Sequence, residues 1–508
     1  MGRARYVSVL ALVLVAVLAA AGVAWAAVPT NTAKLRNAVT VDGIMEHENA
    51  FQAIADANDD NRASGTPGYD ASAAYVAGKL RAAGYKVEVQ PFTFLFFQEL
   101  APATFSQTAP NAKTYEEGAD FAIMEYSGSG NVADTAVVPT NDVQVPPGPT
   151  ASSSNSGCEA SDFPAETAGA VALVQRGTCD FVVKARNAQD AGAVAVIIFN
   201  EGQEGRTEAL NGTLGGPGVT IPVIGTTFAI GKELFNAVPD AKVSISTSTR
   251  SENRQTSNVI AESTTGRSDR VAFAGAHLDS VPEGPGINDN GSGSASILEI
   301  AEEMSELGIK PRNKVRFAFW GAEESGLLGA EHYVSTLSPR QQKNIAVYLN
   351  FDMVGSPNYG RFIYDGDGDA FGTTGPNGSD VAEGVFEDYF RSQGLATLPT
   401  AFDGRSDYKP FIDAGIPAGG LFTGAEDVKT EEEARLFGGQ AGVAFDPCYH
   451  SPCDDIDNLS LEALDQMSDA TAHALLTFAQ TTSSVNGTAK GSGTPSSRFE
   501  YKGPHQQR

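Results

Sequence analysis

Basic residues, histidine and cysteine are all scarce in this chain, and each shortage excludes something. Lysine and arginine number 35 against 62 aspartates and glutamates, a formal net charge of −27. So acidic a protein repels a phosphate backbone, which argues against nucleic acid as a partner and leaves solubility as the general reason for the charge. Four cysteines occur, Cys158, Cys179, Cys448 and Cys453, and no two have CxxC spacing, which argues against a four-cysteine zinc module. Long apolar runs are confined to residues 7–23, so nothing further along can span a bilayer. The glycine-rich stretch GINDNGSGS has no GKS or GKT ending, and its aspartate would repel a bound phosphate, which argues against nucleotide binding. The acidic run DGDGD at 365–369 has Ala370 and Pro376 where an EF-hand loop needs glycine and glutamate, so that cation loop is excluded too. No repeat at solenoid periods is present.

What is there begins with export. Arg3 and Arg5, the apolar run, and then Ala24, Trp25 and Ala26 read as a signal peptide over 1–26, cleaved before Ala27, with an uncleaved anchor as the rival. The mature protein is then expected to be secreted and free of the membrane. An even number of cysteines in an exported chain implies disulfides. Proximity favours Cys158 with Cys179 and Cys448 with Cys453, although three pairings are formally possible. At the other end, residues 483–508 are polar and aperiodic, the composition of a disordered tail.

A chain of 508 residues exceeds what one hydrophobic core supports, so two domains or one large insertion are expected. Helical periodicity over 44–55 and 71–83, a glycine stop at Gly84 and alternation over 86–94 open an α/β domain. From 105 to 251 the texture turns to Gly, Pro, Ser and Thr with short β-branched runs, the signature of a separate β-rich insertion. Alternation then resumes, with strands expected at 258–262, 270–276, 315–320 and 345–352 and helices at 294–306 and 327–335. Apolar strands alternating with helices imply a mixed, mostly parallel sheet sandwiched by helices. The domain reading is therefore 34–104 with 252–482 as one discontinuous α/β domain, interrupted by 105–251.

Of six histidines, two lie in carboxylate-rich loops: His277 in HLDS and His450 in CYHSPC. Asp289 in INDNGSG, Glu323 and Glu324 in WGAEESG, and Asp352 in NFDMVGSP accompany them. Several fall just beyond expected strand ends, where open α/β sheets build their sites. Two imidazoles with three or four carboxylates suit two divalent zinc ions bridged by a carboxylate. Successive side chains alternate, so one of the paired glutamates can bind metal while its neighbour accepts a proton from the attacking water. Asp279, two positions after His277, is expected to accept the second ring N–H of that histidine. A disulfide between Cys448 and Cys453 would hold Tyr449 and His450 in place.

Two resemblances follow from these motifs. The stretch RGTCDFVVKARNAQDAGA resembles the protease-associated (PA) domain. The ordered set HLDS, INDNGSG, WGAEESG, NFDMVGSP and CYHSPC resembles the co-catalytic di-zinc aminopeptidases, over about residues 34–482. That resemblance implies Asp289 as the bridge, His277 and Asp352 on one zinc, Glu324 and His450 on the other, and Glu323 as general base. It implies Tyr449 as donor to the tetrahedral oxyanion and Arg405, in GRSDYKPF, at the substrate's amino-terminal subsite. The expected substrates are peptides with a free amino terminus, and large apolar residues such as leucine are the ones removed. A carboxypeptidase or dipeptidase of the same superfamily is the alternative, and a non-catalytic receptor-like protein a more distant one. Asp465 and Asp469 match a calcium-binding pair in secreted relatives, but the amino-terminal ligands do not align, which favours exposed helix acids.

Overall fold

The computed structural model describes residues 31–481 and Val485. The expected signal peptide and, apart from Val485, the expected tail lie outside the described residues. At the centre of the larger sheet four parallel strands stand in the order Ala418–Phe422, Ile345–Phe351, Arg267–His277 and Asn313–Trp320. Their sequences are continuous apolar runs because both faces are covered; all seven residues of Ile345–Phe351 are buried. Antiparallel strands flank this centre, Lys242–Glu262 and Lys86–Ala109 on one side and Phe362–Tyr364 on the other.

One face of the sheet packs against the helices Val41–Asp56, Pro67–Ala82, Gly293–Glu306, Ser379–Gln393 and Leu461–Gln480. Capping side chains start several of them: Thr40, Thr66 and Ser460 each accept a main-chain N–H of the first turn, which satisfies a donor that the helix itself cannot. The opposite face is aromatic. Phe273, Trp320 and Tyr348 on the strands meet Phe411 on the helix Tyr408–Asp413, with the Phe411 and Tyr348 rings stacked at 3.7 Å. Truncating such a ring costs about 3–5 kcal/mol, so this helix is held firmly against the strand that leads to Asp352.

The strand expected over 86–94 runs on from Lys86 to Ala109, paired with Lys242–Glu262 along its whole length. Local alternation stops near Phe94, but the partner strand continues, and pairing rather than sequence period sets the length. This ribbon carries the chain into a second sheet, where Gly130–Pro139, Val171–Gln175, Ala195–Phe199 and Val223–Thr226 are parallel and Phe121–Ile123 closes one edge. The helices Phe181–Asp190 and Phe228–Ala237 cover it, and apolar side chains fill both of its faces. Within 169–200 the strand Val171–Gln175, the helix Phe181–Asp190 and the strand Ala195–Phe199 follow one another. Both disulfides join the cysteines that proximity favoured, Cys158 to Cys179 and Cys448 to Cys453.

Candidate metal centre

Three parallel strands deliver the site at their carboxyl ends. His277 is the last residue of its strand, Glu323 and Glu324 follow Trp320 by a short turn, and Asp352 follows Phe351 directly. Asp289 comes from the irregular segment Ile287–Ser292 that opens the helix Gly293–Glu306. His450 sits inside the Cys448–Cys453 loop. Ala322, Met353 and His450 all have positive φ, at 54°, 51° and 53°. Left-handed backbone costs a non-glycine residue roughly 1–2 kcal/mol, and three such residues here each adjoin or supply a site side chain.

The Asp289 carboxylate faces two ways. One oxygen lies 3.1 Å from His277 Nε2 and the other 3.3 Å from His450 Nε2. His277 Nε2 is also 3.2 Å from Asp352, and His450 Nε2 is 3.1 Å from Glu324. Ligands at zinc bond lengths of about 2.0–2.2 Å in a tetrahedron stand roughly 3.3–3.6 Å apart, so these separations suit two ions sharing Asp289. Glu323 joins His277 and Asp352 in a group whose donor atoms lie within 4.8 Å of one another. Charge supports the fit. The buried carboxylates of Asp289, Glu323 and Asp352 crowd one cavity with the half-buried Glu324, and among the described residues Glu324 Oε1 has no hydrogen-bond partner. Bound divalent metal would balance that charge and supply the missing partner.

The acid–base character of the group follows from its crowding. Burial raises the Glu323 pKa well above the carboxylate range; His277 works against this, while Asp407, Asp352 and Glu324 add to it. Burial would lower the His277 pKa, but Asp352, Glu323 and Asp289 overcome it and raise the value well above the ordinary one. The Tyr449 phenol is pushed upward by burial and by Asp289 and Glu324, which keeps it a protonated donor.

One expected contact is corrected. The His277 Nδ1 partner is the main-chain carbonyl of Asp279 at 3.0 Å, whereas the Asp279 carboxylate is 3.8 Å away. That carboxylate instead accepts the Glu323 main-chain N–H at 3.2 Å, because the Glu323 turn crosses above it. Asp279 therefore orients the histidine through its backbone and the glutamate turn through its side chain. Arg405 lies beside the site, donating to the Tyr449 hydroxyl at 3.3 Å and pairing with Glu426 at 2.9 Å. Tyr449 in turn stacks on His450 at 3.8 Å. Asp465 and Asp469 are elsewhere, on the helix Leu461–Gln480; Asp469 accepts from Arg36 and Tyr389, both at 3.1 Å. The guanidinium already supplies the positive charge there. Of the other histidines, His332 stacks on Phe92 and His473 bonds to Thr32.

Several supporting residues were not singled out by sequence. Asp454 accepts the main-chain N–H groups of Asn288 and Asp289 at 2.8 and 3.0 Å. Asp446 accepts from the Asn288 side chain at 2.6 Å, and Asn458 donates to both aspartates. The two aspartates flank the disulfide loop, so they tie His450 to the Asp289 segment. Ser406 donates to the outer oxygen of Asp352. The signal for them in the sequence is the acidic pair Asp454 and Asp455 directly after CYHSPC. A cleft of about 520 Å³ opens over the site, walled by Asp279, Glu324, Arg405, Glu426 and Tyr449 and, across the gap, by Glu117 and Glu125 of the smaller sheet.

A mostly parallel α/β sheet that gathers two histidines and several carboxylates at the carboxyl ends of its strands has the architecture and donor set of a zinc peptidase. Residues 258–475 match peptidase family M28, and residues 141–234 match the PA domain. An aminopeptidase of Pseudomonas aeruginosa is 48% identical over 440 residues, 86% of this chain and 81% of that protein. Leucine aminopeptidase 2 of Trichophyton equinum is 40% identical over 451 residues, 88% and 86% of the two chains. Among solved structures, the aminopeptidase of Aneurinibacillus sp. strain AM-1 superimposes with a TM-score of 0.68 at 26% identity, covering 90% of this chain and 98% of that one. A zinc aminopeptidase of Bacillus subtilis gives 0.57 at 25% identity over 88% and 97%. The chain belongs to peptidase family M28, the zinc aminopeptidases, and contains a PA domain.

Proposed function

We propose that this protein is an exported aminopeptidase that removes large apolar residues of the leucine type from peptides with a free amino terminus. In this reading His277, Asp289 and Asp352 hold one zinc, and Asp289, Glu324 and His450 hold the other. The carrying observation is Asp289, whose two oxygens face two different histidines at 3.1 and 3.3 Å. When bound, the ions polarise the scissile carbonyl and activate water as a nucleophile. Glu323 takes the proton of the attacking water and returns it to the leaving amine, a role suited to a carboxylate whose proton affinity burial has raised. The Tyr449 phenol, steadied by Arg405, donates to the developing oxyanion. The acidic walls of the cleft and the carboxylates of Glu323 and Asp352 attract the substrate ammonium group, which makes the enzyme an exopeptidase.

The leucine preference draws on the names of relatives such as that of Trichophyton equinum. Export draws on the amino-terminal sequence and on the two disulfides, which persist in oxidising compartments. No helix among the described residues is long and apolar enough to cross a membrane. The catalytic domain comprises 34–104 and 252–482, and the PA insertion, 105–251, forms a wall that limits access to short or unfolded peptides, consistent with Glu117 and Glu125 on the far side of the cleft. Calcium has no part in this proposal.

The test compares three peptides of one sequence: free at both ends, amino-terminally blocked, and carboxyl-amidated. Cleavage of the free and amidated peptides alone, lost on chelation and restored by zinc, is the expected result. Cleavage of the blocked peptide but not the amidated one would replace this reading with a carboxypeptidase.

A further inference from the structure

Away from the catalytic cleft, the helices Val41–Asp56 and Gly293–Glu306 pack together and enclose His47, Glu299 and Glu302. His47 is 1% exposed and its Nε2 has no hydrogen-bond partner among the described residues. That nitrogen points at two carboxylates, 3.2 Å from Glu302 Oε2 and 3.7 Å from Glu299 Oε2. The other ring nitrogen, Nδ1, lies 2.8 Å from the Tyr75 hydroxyl; donating there leaves the Nε2 lone pair free, as in metal-bound histidines whose second N–H is held by a neighbour. The Glu302 spacing of 3.2 Å falls within the 3.1–3.3 Å found at the catalytic centre, and the Glu299 spacing of 3.7 Å is longer.

A second observation concerns Gly43. A β-carbon at this position would stand 2.0 Å from Glu299 Oε1, so only glycine leaves room for that carboxylate to turn inward. Glycine inside a helix is unfavourable relative to alanine, and here the space it frees is filled by a charged group. Glu302 keeps some solvent access, with 23% of its side chain exposed, which provides a route for an ion and its water.

We propose that His47, Glu299 and Glu302 form a third divalent-metal site, selective for zinc-class ions, that clamps the amino-terminal helix to the helix following Asp289. One imidazole, two carboxylates and a water make up a tetrahedral set. The ion would be structural, since the site lies outside the cleft. Lys79 is the competing cation: its Nζ is 3.4 Å from Glu302 but 2.9 Å from Glu46, and Glu46 retains it when the ion binds. The alternative occupant of the same contacts is a proton, which makes His47 an imidazolium paired with both glutamates; burial opposes that state, but Glu299 and Glu302 outweigh it and raise the His47 pKa above its ordinary value. A contrasting cluster, Asp365, Asp367 and Glu383, has no such vacancy for bonding: Glu383 accepts from Gly366 and Asp367, and Asp365 from Gly368 and Phe371.

The test is metal quantification on the full-length protein equilibrated with zinc and freed of loose ions, together with Glu302→Gln and the double variant His47→Gln, Glu302→Gln. The expected result is one zinc fewer per chain in both variants than in the wild type, three against two, with kcat/KM on a leucyl anilide unchanged. Glu302 is partly exposed, so the single variant keeps the comparison available should the double one not fold. Equal zinc in wild type and Glu302→Gln overturns the proposal and leaves His47 as an ion-paired imidazolium. Because the third site is read as a difference, it is separable from the catalytic centre, whose own ions are counted by the loss in His450→Gln.

Discussion

Glu323 and Glu324 are chemically identical neighbours in different surroundings, and the proposed division of duties between them rests on that difference. Glu324 meets His450 at 3.1 Å, whereas Glu323 has its main-chain N–H held by Asp279 and its carboxyl group among His277, Asp407 and Asp352. A carboxylate surrounded by others holds a proton more tightly than one in water, which suits a group that must accept and then return one. Glu323→Gln is expected to keep both catalytic zinc ions and lose on the order of 10²–10⁴ in kcat. Parallel measurement of metal content and of turnover on an aminoacyl anilide checks this; unchanged turnover would remove Glu323 from the mechanism. Asp279 shows a second lesson at this scale. Its carboxylate and its carbonyl serve different partners, and the sequence distance of two residues from His277 suggested only one of them.

The Cys448–Cys453 loop is the element on which two functional side chains depend. It closes only a short ring, and a short ring removes little freedom from the unfolded chain, so its main effect is local. The disulfide, Asp446 and Asp454 together hold Tyr449 and His450 against the Asp289 segment. Replacing both cysteines by serine is expected to lower zinc retention or kcat/KM by about 10–100-fold, the usual effect of loosening groups that orient metal ligands. Thermal unfolding of the same variant should change little. A large fall in melting temperature with unaltered kinetics would show that the loop serves stability instead.

At the level of the whole molecule, the ribbon Lys86–Ala109 with Lys242–Glu262 joins the two sheets and brings Glu125 to the cleft opposite the catalytic residues. Burial raises the Glu125 pKa to about 7, against hydrogen bonds from Thr213 and Tyr126 that lower it. The folded state therefore binds this proton more tightly than the unfolded state, whose value is near 4.5. Its stabilising contribution is complete below pH 4.5 and is lost as the pH rises through about 7. Glu125→Gln is accordingly expected to flatten part of the decline in melting temperature over that window, as measured by scanning calorimetry across pH. An identical pH profile for the variant would show that Glu125 is hydrated in the folded protein.

Much of this was legible along the chain because it depends on local pattern. The helix Gly293–Glu306 and the strands ending at His277, Trp320 and Phe351 follow from apolar periodicity, and the ligands stand beside them in short motifs. The long ribbon was only half visible, since a strand's extent past residue 94 depends on its partner. Asp446, Asp454, Ser406 and the inward turn of Glu299 over Gly43 were not legible, because each acts on residues distant in sequence. By itself the sequence pointed to most of the elements, favoured the cysteine pairs and supplied the short motifs that carry the candidate ligands. Only the tertiary structure decided which atoms face which: both oxygens of Asp289 toward different histidines, the Asp279 carboxylate toward Glu323, and His47 toward two glutamates. The reason is physical, for side-chain periodicity is written in neighbouring residues, whereas convergence of donors to within 4 Å is decided by how separate strands and helices pack.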